Sequence, residues 1–120
     1  MNILYLTNNL MFSSQVSGLV QARDGEMSAV STPADLISRA AVQQADLAIL
    51  DLSLTGLDAR QVVDELRALN KPPHAILAHA PHVHEAKLAA ARDAGCDQVL
   101  SQGGFHREIG GILDQLSSSL

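Results

Sequence analysis

The sequence predicts a doubly wound α/β fold, with five βα units winding helices onto both faces of one parallel sheet. Three observations carry the prediction. Short apolar runs alternate with helix-period segments along the whole chain. Two of those runs, Asp46–Asp51 and Ala75–His79, are almost wholly apolar, as strands covered on both faces must be. The segments between the runs begin and end on residues that cap helices. Hydrophobic residues make up 47% of the chain, yet Tyr5, Phe12 and Phe105 are the only aromatics, so the core has to be built from Leu, Ile, Val and Ala.

Each element can be justified in order. "NILYLT" (Asn2–Thr7) is the first strand and "MSAVS" (Met27–Ser31) the second. "TPAD" (Thr32–Asp35) opens the second helix, with Thr as cap, Pro at the first helical position and an acid three residues after the cap. "DLAILD" (Asp46–Asp51) is the third strand. Ala59, Val62, Val63, Leu66 and Leu69 follow the spacing of one helical face, which predicts a third helix over Ala59–Leu69 capped by Asp58. "AILAH" (Ala75–His79) is the fourth strand, and the fourth helix stops at Gly95, a natural left-handed position. "QVLS" (Gln98–Ser101) is the fifth strand. The last helix is expected to begin near Phe105 and to turn Ile109, Ile112, Leu113 and Leu116 inward. Gly110 and Gly111 weaken it, and the terminal "SSSL" should fray.

Composition narrows the function. The 120 residues suit one domain spanning 1–120. A net charge of −5, with eight basic residues scattered singly, provides no footprint for nucleic acid. No apolar stretch reaches the length of a membrane span. "MNILYLTNN" lacks the basic segment and cleavage site of a secretory signal. The single Cys96 cannot form an internal disulfide and fits a reducing compartment. The expectation is a cytoplasmic domain.

In a doubly wound sheet the ligand crevice lies outside the carboxyl ends of the strands, where the strand order reverses. For the flavodoxin-like order 2-1-3-4-5, that crevice gathers Thr7, Asn8 and Asn9, then Asp51, His79, Ser101 and Gln102. Asp51 stands out, because it ends an apolar strand with a carboxylate.

Three stretches resemble the receiver domain of the bacterial response regulators, of which the single-domain chemotaxis regulator (CheY) is an example. "DLSLTGLDA" (Asp51–Ala59) is similar to the family's D-x-x-M-P-x-M-D-G, with Asp51 at the phosphoacceptor position. "AILAHA" resembles the fourth strand that normally ends in a switch Thr or Ser followed by Ala, here His79 and Ala80. "AARDAGCDQVLSQ" resembles A-x-x-A-G-A-x-x-Y-L-x-K-P. The resemblance spans essentially the whole chain. It implies a CheY-like (βα)5 fold, a role in two-component signal transduction or phosphorelay, and no enzymatic activity of its own. A histidine kinase or an output domain would be the implied partner.

The departures fall on the chemistry. Where the family ends its first strand in two acids that hold Mg²⁺, this chain has Thr7 and Asn8. His79 replaces the switch hydroxyl, Gln102-Gly103 replaces Lys-Pro, and Val99 replaces the aromatic of the fifth strand. Phosphoryl transfer relies on positioning and cationic stabilisation. Loss of one transition-state donor typically costs ~10²–10³ in rate, and here both the metal's acids and the lysine are gone. The preferred reading is therefore a degenerate or pseudo-receiver, a protein–protein interaction module with weak or no phosphorylation and no cofactor. A homodimer through helix 4, strand 5 and helix 5 is the expected self-association.

Two alternatives stand beside it. One is a phosphorylatable receiver using Asp51 with Mg²⁺. The other is a flavodoxin-like domain binding a small ligand, or a metal through His74, His79, His82 and His84, which crowd into eleven residues. Against a flavin site, "TNNLMFSSQ" has no glycine and tryptophan is absent. His79 itself has two readings. It either occupies the phosphoryl space and bonds to Asp51 or a nearby carbonyl in place of the lysine, or it points to solvent.

Overall fold

A computed structural model describes residues 1–119. Its strands are β1 (Asn2–Leu6), β2 (Glu26–Val30), β3 (Leu47–Asp51), β4 (Ala75–Ala80) and β5 (Gln98–Ser101). They alternate with α1 (Leu10–Gln21), α2 (Pro33–Val42), α3 (Ala59–Arg67), α4 (Glu85–Ala94) and α5 (Gln102–Ser119). All strand pairs are parallel and the order is β2-β1-β3-β4-β5, as the sequence predicts. Every residue of β3 is buried, which is why its sequence shows no polar alternation.

The sheet divides the core into two layers. On one side Leu4, Leu6, Ala48, Leu50, Ile76 and Ala78 meet α2, α3 and α4 through Leu36, Val62, Val63, Leu66, Leu88 and Ala91. On the other, Ile3, Tyr5, Leu47, Ile49 and Leu77 meet α1 and α5 through Val16, Val20, Phe105, Ile109 and Leu113. The alternation of β1 and β4 decides what reaches each layer: Tyr5, Leu77 and His79 share a face.

Local chemistry sets the ends of the helices. Thr32 Oγ1 accepts the Asp35 N–H at 3.1 Å and Asp58 Oδ1 accepts the Gln61 N–H at 3.2 Å, both as the sequence predicts. Gly95 ends α4 at φ 95°, a conformation in which any Cβ would be strained. Helix α3 stops at Arg67, short of Leu69, which still packs against its layer. At the opposite end of the sheet from the crevice, Asp46 and Asp97 accept the N–H groups of Asn2 and Ile76, at 2.6 and 2.7 Å.

Helix α5 departs most from the sequence expectation. It starts at Gln102, directly after β5, not near Phe105. Ser101 Oγ accepts the Gly104 N–H at 3.1 Å, which caps a turn that Gly103 and Gly104 alone would disfavour. The helix runs on through Gly110 and Gly111 because Phe105, Ile109 and Leu113 bury one face. Ser117–Ser119 are helical and not frayed; Leu120 lies outside the described residues.

Candidate functional site

The carboxyl ends of β1, β3 and β4 open on a crevice of about 470 Å³ lined by Asn8, Asn9, Phe12, Asp51, Ser53, Leu54, Thr55, Pro81 and Gln102. Asp51 forms its floor and is only 4% exposed. Both of its oxygens are engaged: Thr7 Oγ1 donates to Oδ2 at 2.7 Å, and the Ser53 N–H donates to Oδ1 at 3.0 Å. Thr7 Oγ1 in turn accepts the Asn9 N–H at 3.0 Å. Asn9 is the cap of α1, accepting the Phe12 N–H at 3.0 Å, a helix start the sequence reading passed over. Asn8 is exposed and has no part in this network.

His79 is wholly buried, so it does not point to solvent. Of the two partners expected for it, Asp51 is not bonded, while a nearby carbonyl, that of the Gln102 side chain, is. Nε2 lies 2.7 Å from the Tyr5 hydroxyl and Nδ1 lies 2.8 Å from Gln102 Oε1. His79 is in register with Asp51 on the same face of the β3–β4 ladder, but its two nitrogens are taken by Tyr5 and Gln102, and the two Asp51 oxygens by Thr7 and Ser53. Its ring stacks on Phe105 at 4.2 Å and 22°, and meets the edge of Tyr5 at 5.7 Å. Ala80 is buried in the opposite layer.

The partners fix the proton positions. An amide oxygen only accepts, so His79 Nδ1 carries the hydrogen that reaches Gln102 Oε1. In the uncharged ring Nε2 is then the acceptor, and Tyr5 donates to it. Gln102 Nε2 donates onward to His106 Nε2 at 3.0 Å, which leaves the proton of neutral His106 on Nδ1. That nitrogen is buried without a partner, a defect that costs roughly 1–3 kcal/mol. Burial depresses the His79 pKa below the ordinary histidine value, against the pull of Asp51 and Gln102 in the other direction. Burial and the Asp51 charge push the Tyr5 phenol far above its usual range, while the neighbouring Thr7 hydroxyl acts in the opposite sense.

This donor set does not suit Mg²⁺. Such an ion is held by one or two carboxylates and phosphate oxygens in near-octahedral geometry. Among the described residues the only carboxylate lining the crevice is Asp51, and each of its oxygens already accepts one hydrogen bond, from Thr7 and from Ser53. Gln102, at the lysine position, brings no charge and is turned toward His79.

The four clustered histidines do not converge. His74 pairs with Asp46 at 3.7 Å at the far end of β4, His79 is buried at the near end, and His82 and His84 are exposed on the following loop. Among the described residues no group of three or more His, Cys, Asp or Glu side chains is placed to hold a metal ion. Burial raises the Cys96 thiol to about 11, so it packs as a small apolar side chain.

No family model matches the sequence, and no curated protein is significantly similar to it. Solved structures match in shape. The receiver domain of a sensor histidine kinase from Pseudomonas aeruginosa, described with a magnesium ion coordinated in its active-site cleft, aligns with a TM-score of 0.81 at 19% identity, covering 98% of this chain and 97% of that one. The chemotaxis response regulator CheY4 of Vibrio cholerae aligns at 0.76 and 15% identity, over 96% and 97%. A protein described among streptococcal redox sensors evolved from two-component response regulators aligns at 0.79 and 13% identity, over 98% of this chain and 51% of that longer one. The chain has the fold of the response-regulator receiver domains.

Proposed function

We propose that this chain is a receiver-type signalling domain that acts through protein contacts without taking a phosphoryl group. One observation carries this reading: every group that would face a phosphoryl oxygen is uncharged or already hydrogen-bonded within the chain. Asp51 is held by Thr7 and Ser53, and Gln102 stands in place of a cation and bonds to His79. A transferred phosphoryl group needs cationic stabilisation of its spreading charge, and among the described residues no cationic side chain lines the crevice.

The proposed partners are other signalling proteins, a histidine kinase or an output domain, and a second copy of the chain. The face formed by α4, β5 and α5 supports this choice. It presents exposed Ala86, Ala89 and Ala90 together with part-exposed Val99 and Leu100. No helix among the described residues is long and apolar enough to cross a membrane. The streptococcal neighbour's description gives a precedent for a receiver-derived domain turned to another sensing role.

Incubation with acetyl phosphate, or with beryllium fluoride plus Mg²⁺, tests the proposal. The expected outcome is no covalent labelling by mass spectrometry and no shift of the crevice amides in NMR spectra. Stoichiometric labelling that disappears in Asp51→Asn would overturn it and establish a phosphorylatable receiver.

A further inference from the structure

All hydrogen bonds around His79 run in one direction, and a single added proton would reverse the first of them. Tyr5 donates to Nε2, Nδ1 donates to Gln102, and Gln102 donates to His106. We propose that His79 is a buried pH-operated latch: uncharged, it clamps β1 to the first turn of α5, and protonated, it releases that turn.

A protonated imidazole has two donors and no acceptor. Tyr5 must then stop donating to it and accept instead, and the Thr7 hydroxyl, which already donates to Asp51 and acts on the Tyr5 phenol, can take its proton. The rearrangement therefore runs from β4 to β1 and ends beside the Thr7–Asp51 bond. The charge is also enclosed, because the ring has no exposed surface. Gln102 separates the ring from the open crevice, forming both part of the crevice wall and the bond to Nδ1. For the charge to reach water, Gln102 has to move, and α5 begins at that residue.

The first turn of α5 is the part able to yield. Tyr5 and His79 are fixed in interior strands, each paired on both sides. Gln102 and Phe105, which contact the ring, flank Gly103 and Gly104, residues of poor helix propensity. The same turn already holds the unpartnered Nδ1 of His106. The groups that set the balance come from each packed element. β1 presents the Tyr5 phenol and β3 the Asp51 carboxylate, which favours the charged ring. β5 presents Leu100 in register and α1 presents Phe12, both uncharged. α5 presents His106, which opposes a second positive charge, while the Arg107 and Glu108 heads lie over Gly103 and Gly104.

Hydrogen exchange of the Gln102–Ile109 amides, corrected for intrinsic rates, tests the latch alongside an NMR titration of each histidine ring. Between pH 7.5 and 5 the exchange should accelerate by up to about tenfold per pH unit, the most one linked proton can drive, in step with His79. Gln102→Glu places a carboxylate on Nδ1 that holds the charged ring in the closed latch, so it should raise the His79 midpoint by about one pH unit or more and flatten the acceleration of exchange. His79→Leu should abolish the pH response; if that variant fails to fold, the Gln102→Glu comparison decides alone. Protection that stays constant down to pH 5, or an acceleration of exchange that Gln102→Glu leaves unchanged, would overturn the proposal. The latch does not require Asp51 to be free of phosphate, so its failure and that of the proposed function are separate results.

Discussion

The two layers of the core are built on different principles. The layer under α2, α3 and α4 is aliphatic throughout, from Leu4 and Leu50 to Leu66 and Leu88. The layer under α1 and α5 holds all three aromatics, and with them His79, Gln102 and His106 in one hydrogen-bonded chain. Aliphatic burial is non-directional and indifferent to pH. A buried polar chain is directional, specifies one arrangement, and changes with a proton. The fold is thus held from one side by bulk and from the other by geometry.

The largest effect should come from the aliphatic layer. Leu66 is fully buried, and Leu66→Ala should destabilise the domain by about 2–5 kcal/mol through lost burial and the cavity left behind. Denaturant unfolding at pH 7.5 and pH 5.5 should return the same loss, and the His79 titration should not move. A loss that varied with pH would break the separation of the layers.

A smaller effect, of opposite character, is expected from the polar layer. His79→Leu leaves the Tyr5 hydroxyl and Gln102 Oε1 unpaired, costing about 1–3 kcal/mol at pH 7.5. The cost should shrink as the pH falls, and the sign follows from linkage. Burial depresses the folded pKa of His79, so between that value and the unfolded value near 6.5 the unfolded chain binds more protons. Its contribution to stability is complete above about pH 6.5 and is lost as the pH falls toward the folded pKa. Wild type should weaken across that window in urea titrations while His79→Leu does not. Parallel curves for the two proteins would contradict the assignment.

The same contrast explains what could be read from the sequence. Strands, helices and caps are local: Thr32, Asp58 and Gly95 announce their roles within a few residues. The aliphatic layer follows from periodicity, and Asp51 from its place at the end of an apolar run. The polar chain is not local. Tyr5 lies 74 positions from His79, and its phenol meets the imidazole only because β1 and β4 bring matching faces under α5. A signal existed, since a lone tyrosine inside an apolar strand must find a partner for its hydroxyl. The early start of α5 was hidden because Gly103-Gly104 reads as a break, whereas Ser101 and the anchored Gln102 hold the turn.

An uncharged His79, bonded to Tyr5 on one side and Gln102 on the other, holds the first turn of α5 beside the crevice. Long-range ¹H–¹⁵N correlation spectra of the imidazole at pH 7.5 test it most directly, because the two ring nitrogens resonate far apart when one is protonated and the other is not. The predicted result is a neutral His79 with its proton on Nδ1 and Nε2 accepting from Tyr5, the latter resonance shifting in Tyr5→Phe. A proton on Nε2, or a charged ring at that pH, would contradict it.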